Sequence, residues 1–265
     1  MRRSSAMRLL PWIVTPALII LVIVVWGAWV SLFHVNPFIF PGPLEVWDKL
    51  LGVLVAEKTW AATGTTVMET VVGFVIATAI GALIGIVLGK LPWLEVSVRP
   101  LVIITQVAPK VAFIPLFIIW FGFGITSKIV LAALLAFFPV MLNVLLAIRS
   151  VDQGHREVMQ SLNASKWQTF GQVEFRSLLP YLFAGMEVGI TLATIGAIVG
   201  EYLAGNSGLG NLLVGAMNDL DAGKTFALIL WLSLIGLVLY LIVNELKRFF
   251  IPWHESVYGL KNSQS

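Results

Sequence analysis

Long apolar runs separated by short polar segments make up most of this chain. The runs fall at about Pro16–Phe33, Gly64–Lys90, Pro100–Phe121, Lys128–Ile148, Tyr181–Leu203 and Thr225–Asn244. A helix that crosses a bilayer needs about 20 mostly apolar residues, and each run is long enough. The pattern therefore predicts an all-α integral membrane protein with six transmembrane helices in one domain over 1–265. No small-residue cleavage site follows the first run, so it is expected to remain as an anchored helix. His34–Ala62 is mixed and carries Pro37, Pro41 and Pro43, which predicts a loop with a short helix. Gly205–Gly223 is rich in Gly, Asn and Asp and is expected to be a polar loop. The largest interruption is Glu157–Pro180, EVMQSLNASKWQTFGQVEFRSLLP, a polar but helix-forming island within a loop over 150–180.

Composition agrees with the pattern. Of 265 residues 58% are hydrophobic and 12% charged, against about 25% charged in soluble domains. A net charge of +3 gives no case for a nucleic-acid partner; the lipid bilayer is the expected surrounding. There is no Cys, and His34, His155 and His254 are far apart, so neither disulfides nor a metal site are expected. Distribution of charge says more than its sum. With the N-terminus inside, the inner segments hold Arg2, Arg3, Arg8, Lys90, Arg99, Arg149, Arg156, Lys166, Arg176, Lys247, Arg248 and Lys261. The outer segments hold Lys49, Lys58, Lys128 and Lys224. Positive charge favours the cytoplasmic side, so both termini and the 150–180 loop are placed there.

Candidate chemistry is sparse. No G-x-x-x-x-G-K-[ST] loop is present, so the chain does not hold ATP by that device. No H-E-x-x-H or G-x-S-x-G pattern occurs. Uphill transport would need energy from a partner or an ion gradient. Gly81, Gly85 and Gly89 recur at four-residue spacing, as do Gly185 with Gly189 and Gly196 with Gly200. Such spacing lets helix backbones approach closely in lipid, either within one chain or between protomers. The third run carries Pro100, Pro109 and Pro115, each of which removes a backbone donor. Freed backbone groups at membrane depth belong where protein or a water-filled cavity satisfies them. Pro109, Pro115 and the mid-span Lys110 are therefore pathway candidates, and Asn143, Glu187 and Glu201 in the neighbouring spans join them. Lys110 has two readings: attraction of an anionic or polar solute, or a structural pair with Glu187 or another buried acid. Glu187 and Glu201 lie in the fifth span; Glu201, near its outer end, is expected to be solvated or capping. Asn143 is expected to bond a neighbouring helix.

The island resembles the EAA motif of ABC-transporter permeases, which reads roughly E-A-A, a Gly four residues after the second Ala, then a hydrophobic stretch ending in L-P. Glu157, Ser161, Leu162, Ala164, Ser165, Trp167, Phe170, Val173, Leu179 and Pro180 fall in matching places. Val158 and Met159 replace the paired Ala, and Asn163 stands where Gly is usual. Asn tolerates the left-handed conformation, so the turn can survive. IPLFIIWFGFGITSKI (Ile114–Ile129), FFPVMLN (Phe137–Asn143) and GEYLAGNSGLGNLL (Gly200–Leu213) extend the resemblance to the nitrate/sulfonate/taurine subfamily.

What the resemblance implies is a type I importer permease fold with cytoplasmic coupling helices, in a bacterial inner membrane. Two permease copies would form the pathway, two ATPase subunits would dock on the loops, and a periplasmic or lipid-anchored solute-binding protein would deliver cargo. ATP and Mg would be used by the ATPase, with no cofactor on this chain. Glu157, Ser161, Leu162, Asn163, Ala164, Trp167 and Phe170 would form the coupling segment, with Met159, Leu162, Trp167 and Phe170 as apolar knobs for helix-in-groove docking. Relatives in this subfamily import small anions and zwitterions, and also pyrimidine or riboflavin-like heterocycles; the PKVAFIPLF stretch (Pro109–Phe117) leans toward the heterocycle importers. A gradient-driven transporter would show inverted repeats, and an intramembrane enzyme paired acids or His in adjacent spans. Neither accounts for the island.

Overall fold

The computed structural model describes residues 5–253; Arg2, Arg3, His254 and Lys261 lie outside them. The elements in chain order are α1 (Ser5–Leu32), α2 (Pro43–Val55), α3 (Glu57–Lys90), α4 (Pro92–Val107), a 3₁₀ turn (Lys110–Phe113), α5 (Ile114–Phe121), α6 (Ile125–Arg149), α7 (Gln153–Ser161), α8 (Lys166–Thr169), a π-helical turn (Phe170–Glu174), α9 (Phe175–Ala204), α10 (Leu209–Asn218) and α11 (Ala222–Phe250). Among the described residues five helices are long and apolar enough to cross a membrane, and the α4–α5 pair, bent by 85°, makes a sixth if it crosses as one span.

The core is α6 held between α3 and α9. Glycines decide how close these helices come. A Cβ on Gly73 would lie 2.7 Å from Ala132 Cβ, one on Gly85 2.6 Å from the Met141 carbonyl, and one on Gly89 2.7 Å from Ile148 Cβ. From the other side, a Cβ on Gly185 would meet the Pro139 carbonyl at 3.0 Å, and one on Gly196 the Ala132 Cα at 2.7 Å. The four-residue glycine spacing thus serves packing within the chain. Ala132, Ala136, Ala193 and Ala197 complete the small-residue seam, and Phe74 and Ile190 close it.

The contact order fixes direction. Along α3 and α6 the numbers rise together, Gly73 to Ala132 and Gly89 to Ile148, so these helices run parallel. Along α9 they run oppositely, Gly185 at Pro139 and Gly200 at Lys128. Parallel α3 and α6 require the chain to return between them, so the α4–α5 pair makes the crossing. The α6–α9 connection, the Lys90 end of α3 and the Phe250 end of α11 therefore share one face of the bundle, the hairpin end. Trp26 near the Leu32 end of α1 donates from Nε1 to the Pro41 carbonyl at 3.1 Å and makes tilted ring contacts with Phe40 and Phe226. That places the Leu32 end of α1 at the opposite face, with its apolar side chains from Leu18 to Val25 open to the bilayer.

Several expectations shift. The third span starts at Pro92 and breaks at Ala108–Pro109 instead of running continuously from Pro100. Pro109 precedes the 3₁₀ turn and Pro115 lies in the first turn of α5, where a missing N–H leaves no bond unmade. The fifth span starts at Phe175, and Pro180 sits inside it. The polar 205–223 segment holds the helix α10.

The glycine seam makes a direct prediction. Gly85→Ala forces α3 from the α6 backbone and is expected to destabilise the protein by about 1–3 kcal/mol. Gly64→Ala in the same helix meets nothing within 4 Å and is expected to be neutral or stabilising by up to about 1 kcal/mol. Thermal unfolding of both variants in one detergent checks the contrast.

Candidate functional site

The polar island folds as a helical hairpin. Asp152 starts α7, its Oδ1 accepting the Gly154 and His155 N–H groups at 2.7 and 3.3 Å, a side-chain N-cap. Gln153 Nε2 donates to Glu157 Oε1 at 3.0 Å along the exposed face. The helix ends in a Schellman turn: Asn163 N–H donates to the Gln160 carbonyl and Ala164 N–H to the Met159 carbonyl, both at 2.9 Å. Asn163 has φ +50°, the left-handed conformation a C-cap residue takes. Ser165 and Gln168 form a capping box that starts α8, with Gln168 Oε1 accepting the Ser165 N–H at 2.7 Å.

The hairpin splits the expected knobs into two sets. Met159 is buried, and Phe170 packs onto the α6–α9 core around Val144 and Leu178. These two hold the hairpin to its own chain and are not free to dock. Val158, Leu162 and Trp167 are 56%, 71% and 82% exposed. Glu157, Ser161 and Asn163 are exposed beside them, and Ala164 is half-buried. Val158 was not among the expected contacts.

The pathway candidates separate. Among the described residues Lys110 pairs with no acid: its Nζ donates to the Gln106 carbonyl at 2.9 Å and lies 5.1 Å from the Phe138 ring centroid. It caps the broken end of α4, where carbonyls lack helical partners and the helix dipole favours a cation. Glu187 pairs instead with Lys247 of α11 at 3.1 Å. Asn143 does not bridge helices; its amide donates to the Pro139 carbonyl one turn back in α6. Pro109 and Pro115 are exposed beside the elbow.

Glu201 is not solvated. It is fully buried, accepting from the Thr66 hydroxyl at 2.6 Å and the Gly210 N–H at 2.7 Å. The Thr66 hydroxyl in turn accepts the Leu209 N–H at 2.9 Å. Glu201 and Thr66 thus satisfy the first N–H groups of α10. Gly208, at φ +94°, passes so close that a Cβ would overlap the Glu201 carboxylate. The neighbouring glycines are also constrained, Gly205 against the Glu201 backbone and Gly210 against the Ile198 carbonyl. Beside Glu201 is an ion pair the sequence did not disclose. Lys128 Nζ lies 3.3 Å from Glu69 Oε1, with the side chains 2% and 0% exposed. Charge distribution along the sequence assigns Lys128 only to the outer segments, not to a buried pair. Glu69 carries a faint signal, since it lies next to the polar stripe Thr59, Thr63, Thr66 and Thr70 on α3.

At the rim of that end Lys49 of α2 binds Asp221 at 2.7 Å, and Asp221 caps α11 through the Lys224 N–H. Burial pushes the Asp221 carboxyl up, but the Lys49 and Lys224 hydrogen bonds outweigh it and hold the group below its ordinary value. A depressed acid stabilises the fold above its unfolded pKa, and that contribution is lost as pH falls through the folded value.

A bundle with paired parallel and antiparallel glycine seams and a capped polar hairpin between two spans defines a polytopic helical membrane protein with one built polar face. Residues 77–253 match the family described as "Binding-protein-dependent transport system inner membrane component", and the chain belongs to that family. It is 37% identical to the riboflavin transport system permease protein RibX of Chloroflexus aurantiacus, over 91% of this chain and 90% of that one. It is 29% identical to the formylaminopyrimidine transport permease protein ThiX of Halalkalibacterium halodurans, over 83% and 88%. It is also 29% identical to the taurine transport system permease protein TauC of Escherichia coli, over 88% and 86%. The chain is therefore the permease subunit of an ABC importer, an integral inner-membrane protein that works with an ATPase and a solute-binding partner, and not itself an enzyme.

The buried cluster yields a stability prediction. Lys128→Met leaves two enclosed acids without a counter-charge and is expected to destabilise by about 3–5 kcal/mol. The double variant Glu69→Leu/Lys128→Met is expected to recover most of that loss. Thermal melts of the purified subunit in detergent distinguish the two.

Proposed function

We propose that the α7–α8 hairpin is the cytoplasmic docking element for the ATPase, and that two copies of this chain enclose the pathway. The observation that carries this is the exposed apolar stripe of Val158, Leu162 and Trp167 on a hairpin whose inner face is anchored in the core. Apolar anchors flanked by charge are how a helix seats in a groove, and Trp is a common anchor. Glu157 supplies the polar contact, and Asn163 and Ala164 shape the turn. ATP and Mg belong to the ATPase, with no cofactor on this chain. The hairpin end, carrying Arg149, Arg156, Lys166 and Arg176, is the cytoplasmic face by the positive-inside rule, so both termini are cytoplasmic.

The cargo is a small polar or anionic solute, consistent with relatives named for taurine, aliphatic sulfonate and nitrate transport. Lys110 at the α4–α5 elbow, half-exposed beside Phe138, is the cation in reach of such a solute, with Pro109 and Pro115 shaping the elbow. A second reading, a riboflavin-like or pyrimidine heterocycle, is favoured by the 37% identity to a riboflavin permease. Ligand screening of the cognate binding protein separates the two.

Trp167→Ala and Glu157→Arg are each expected to lower ATPase co-purification by about tenfold or more, the scale of a hot-spot loss of 1.4 kcal/mol or above. Undiminished recovery of the ATPase with both variants would sink the docking assignment. A single cysteine at Ser161, in a chain with no native Cys, is expected to react with impermeant reagent only from the cytoplasmic side. Labelling from outside would invert the orientation.

A further inference from the structure

Behind the hairpin, one carboxylate joins the elements that docking would move. Glu174 is the last residue of the π-helical turn between α8 and α9, and it is 8% exposed. Its Oε2 lies 2.8 Å from Nζ of Lys90, the last residue of α3. Its Oε1 lies 3.7 Å from Nη2 of Arg156 in α7. The Arg156 guanidinium also donates to the Ile148 carbonyl at the end of α6, at 2.8 Å. Lys90 Nζ in turn stands 4.5 Å from the centroid of Phe170, the first residue of the π turn. Glu174, at the start of α9, is thus tied directly to α3 and α7, and through Arg156 to the end of α6.

The cluster has the features of a transmitter and not of a docking contact. Glu174 faces inward, while the proposed docking residues Val158, Leu162 and Trp167 face out. Its ties are ionic and half-exposed on the basic side, since Lys90 and Arg156 are each 39% exposed. Such contacts can re-form at a new position, whereas the glycine seams cannot slide without clash. The π turn adds a residue to the helical repeat, a local distortion often found at functional positions. We propose that Glu174 is a positioning residue for transport: it carries displacement of the α7–α8 hairpin to the ends of α3 and α9. This rests on the docking reading above.

The test uses the assembled transporter in proteoliposomes with its ATPase and binding protein. Glu174→Gln keeps the shape and removes the charge. The expected result is normal ATPase co-purification and normal basal hydrolysis, with binding-protein-stimulated hydrolysis and uptake lowered about tenfold or more, within the usual range of coupling free energies. Lys90→Gln is expected to do the same, and the double variant to be no worse than either single one, the signature of a shared interaction. Wild-type uptake by Glu174→Gln overturns the proposal. So does failure of Glu174→Gln and Lys90→Gln to assemble, because the cluster would then serve assembly and not transmission. Loss of the docking reading shows up separately, as Trp167→Ala retaining its ATPase.

Discussion

The absence of side chains at one face of α3 and one face of α9 governs this structure. Lipid tails are as apolar as leucine, so burying leucines drives no helix association in a bilayer. Close backbone approach and the dispersion contacts it allows must do it. Gly73, Gly85, Gly89, Gly185 and Gly196 provide that approach, each facing an atom of α6 that a Cβ would strike. The parallel α3–α6 and antiparallel α6–α9 registers follow, and with them the position of everything else. The hairpin must emerge where α6 ends and α9 begins. The α4–α5 pair must cross back to let α6 run beside α3.

Polar groups are then distributed by depth. At the end away from the hairpin, Glu69, Lys128, Glu201 and Thr66 are enclosed and tied to the N-terminus of α10. A charged group inside the membrane is expensive and persists only among partners, and three helices contribute partners here. At the hairpin end the ion pairs Lys90–Glu174 and Arg149–Glu95 each leave the basic member 39% exposed. Water reaches the basic members of these pairs, while their acidic side chains are only 10% and 8% exposed. One end of the three-helix unit is fixed by dehydrated contacts, and the other is held by contacts that water can replace.

Sequence patterns disclosed what depends on neighbours in the chain. Hydropathy located the membrane-crossing helices, and the Asn in place of Gly pointed to a turn at 163, where the backbone is left-handed. The glycine spacing announced close approach but not its partner, because the partner is set by register between helices some sixty residues apart. The same limit hid the Glu69–Lys128 pair: Lys128 in isolation looks like a loop cation. Phe170 and Leu162 are both large and apolar, yet Phe170, at the start of the π turn, packs against the core while Leu162, at the end of α7, stays outside. The acid-pair reading of Lys110 failed for a different reason. A cation in an apolar run suggests a missing acid, but a broken helix end offers carbonyls that serve as well.

The elbow at Ala108–Pro109 gains its meaning from this arrangement. Glu95 ties the start of α4 to Arg149 at the hairpin end of α6, at 2.6 Å. Ile114 and Phe117 of α5 pack on Leu131 and Ala204 near the opposite ends of α6 and α9. The two halves of the broken span are thus fastened to opposite ends of one rigid unit. A tilt of that unit moves α4 and α5 in opposite senses, and a continuous helix would resist it through its whole hydrogen-bond ladder. At the elbow that ladder is already interrupted: Pro109 has no donor to give, and Lys110 satisfies the Gln106 carbonyl through a flexible side chain. The strain of tilting is therefore eased at the elbow, where both α4 and the ladder end and fewer backbone bonds need break than within either helix.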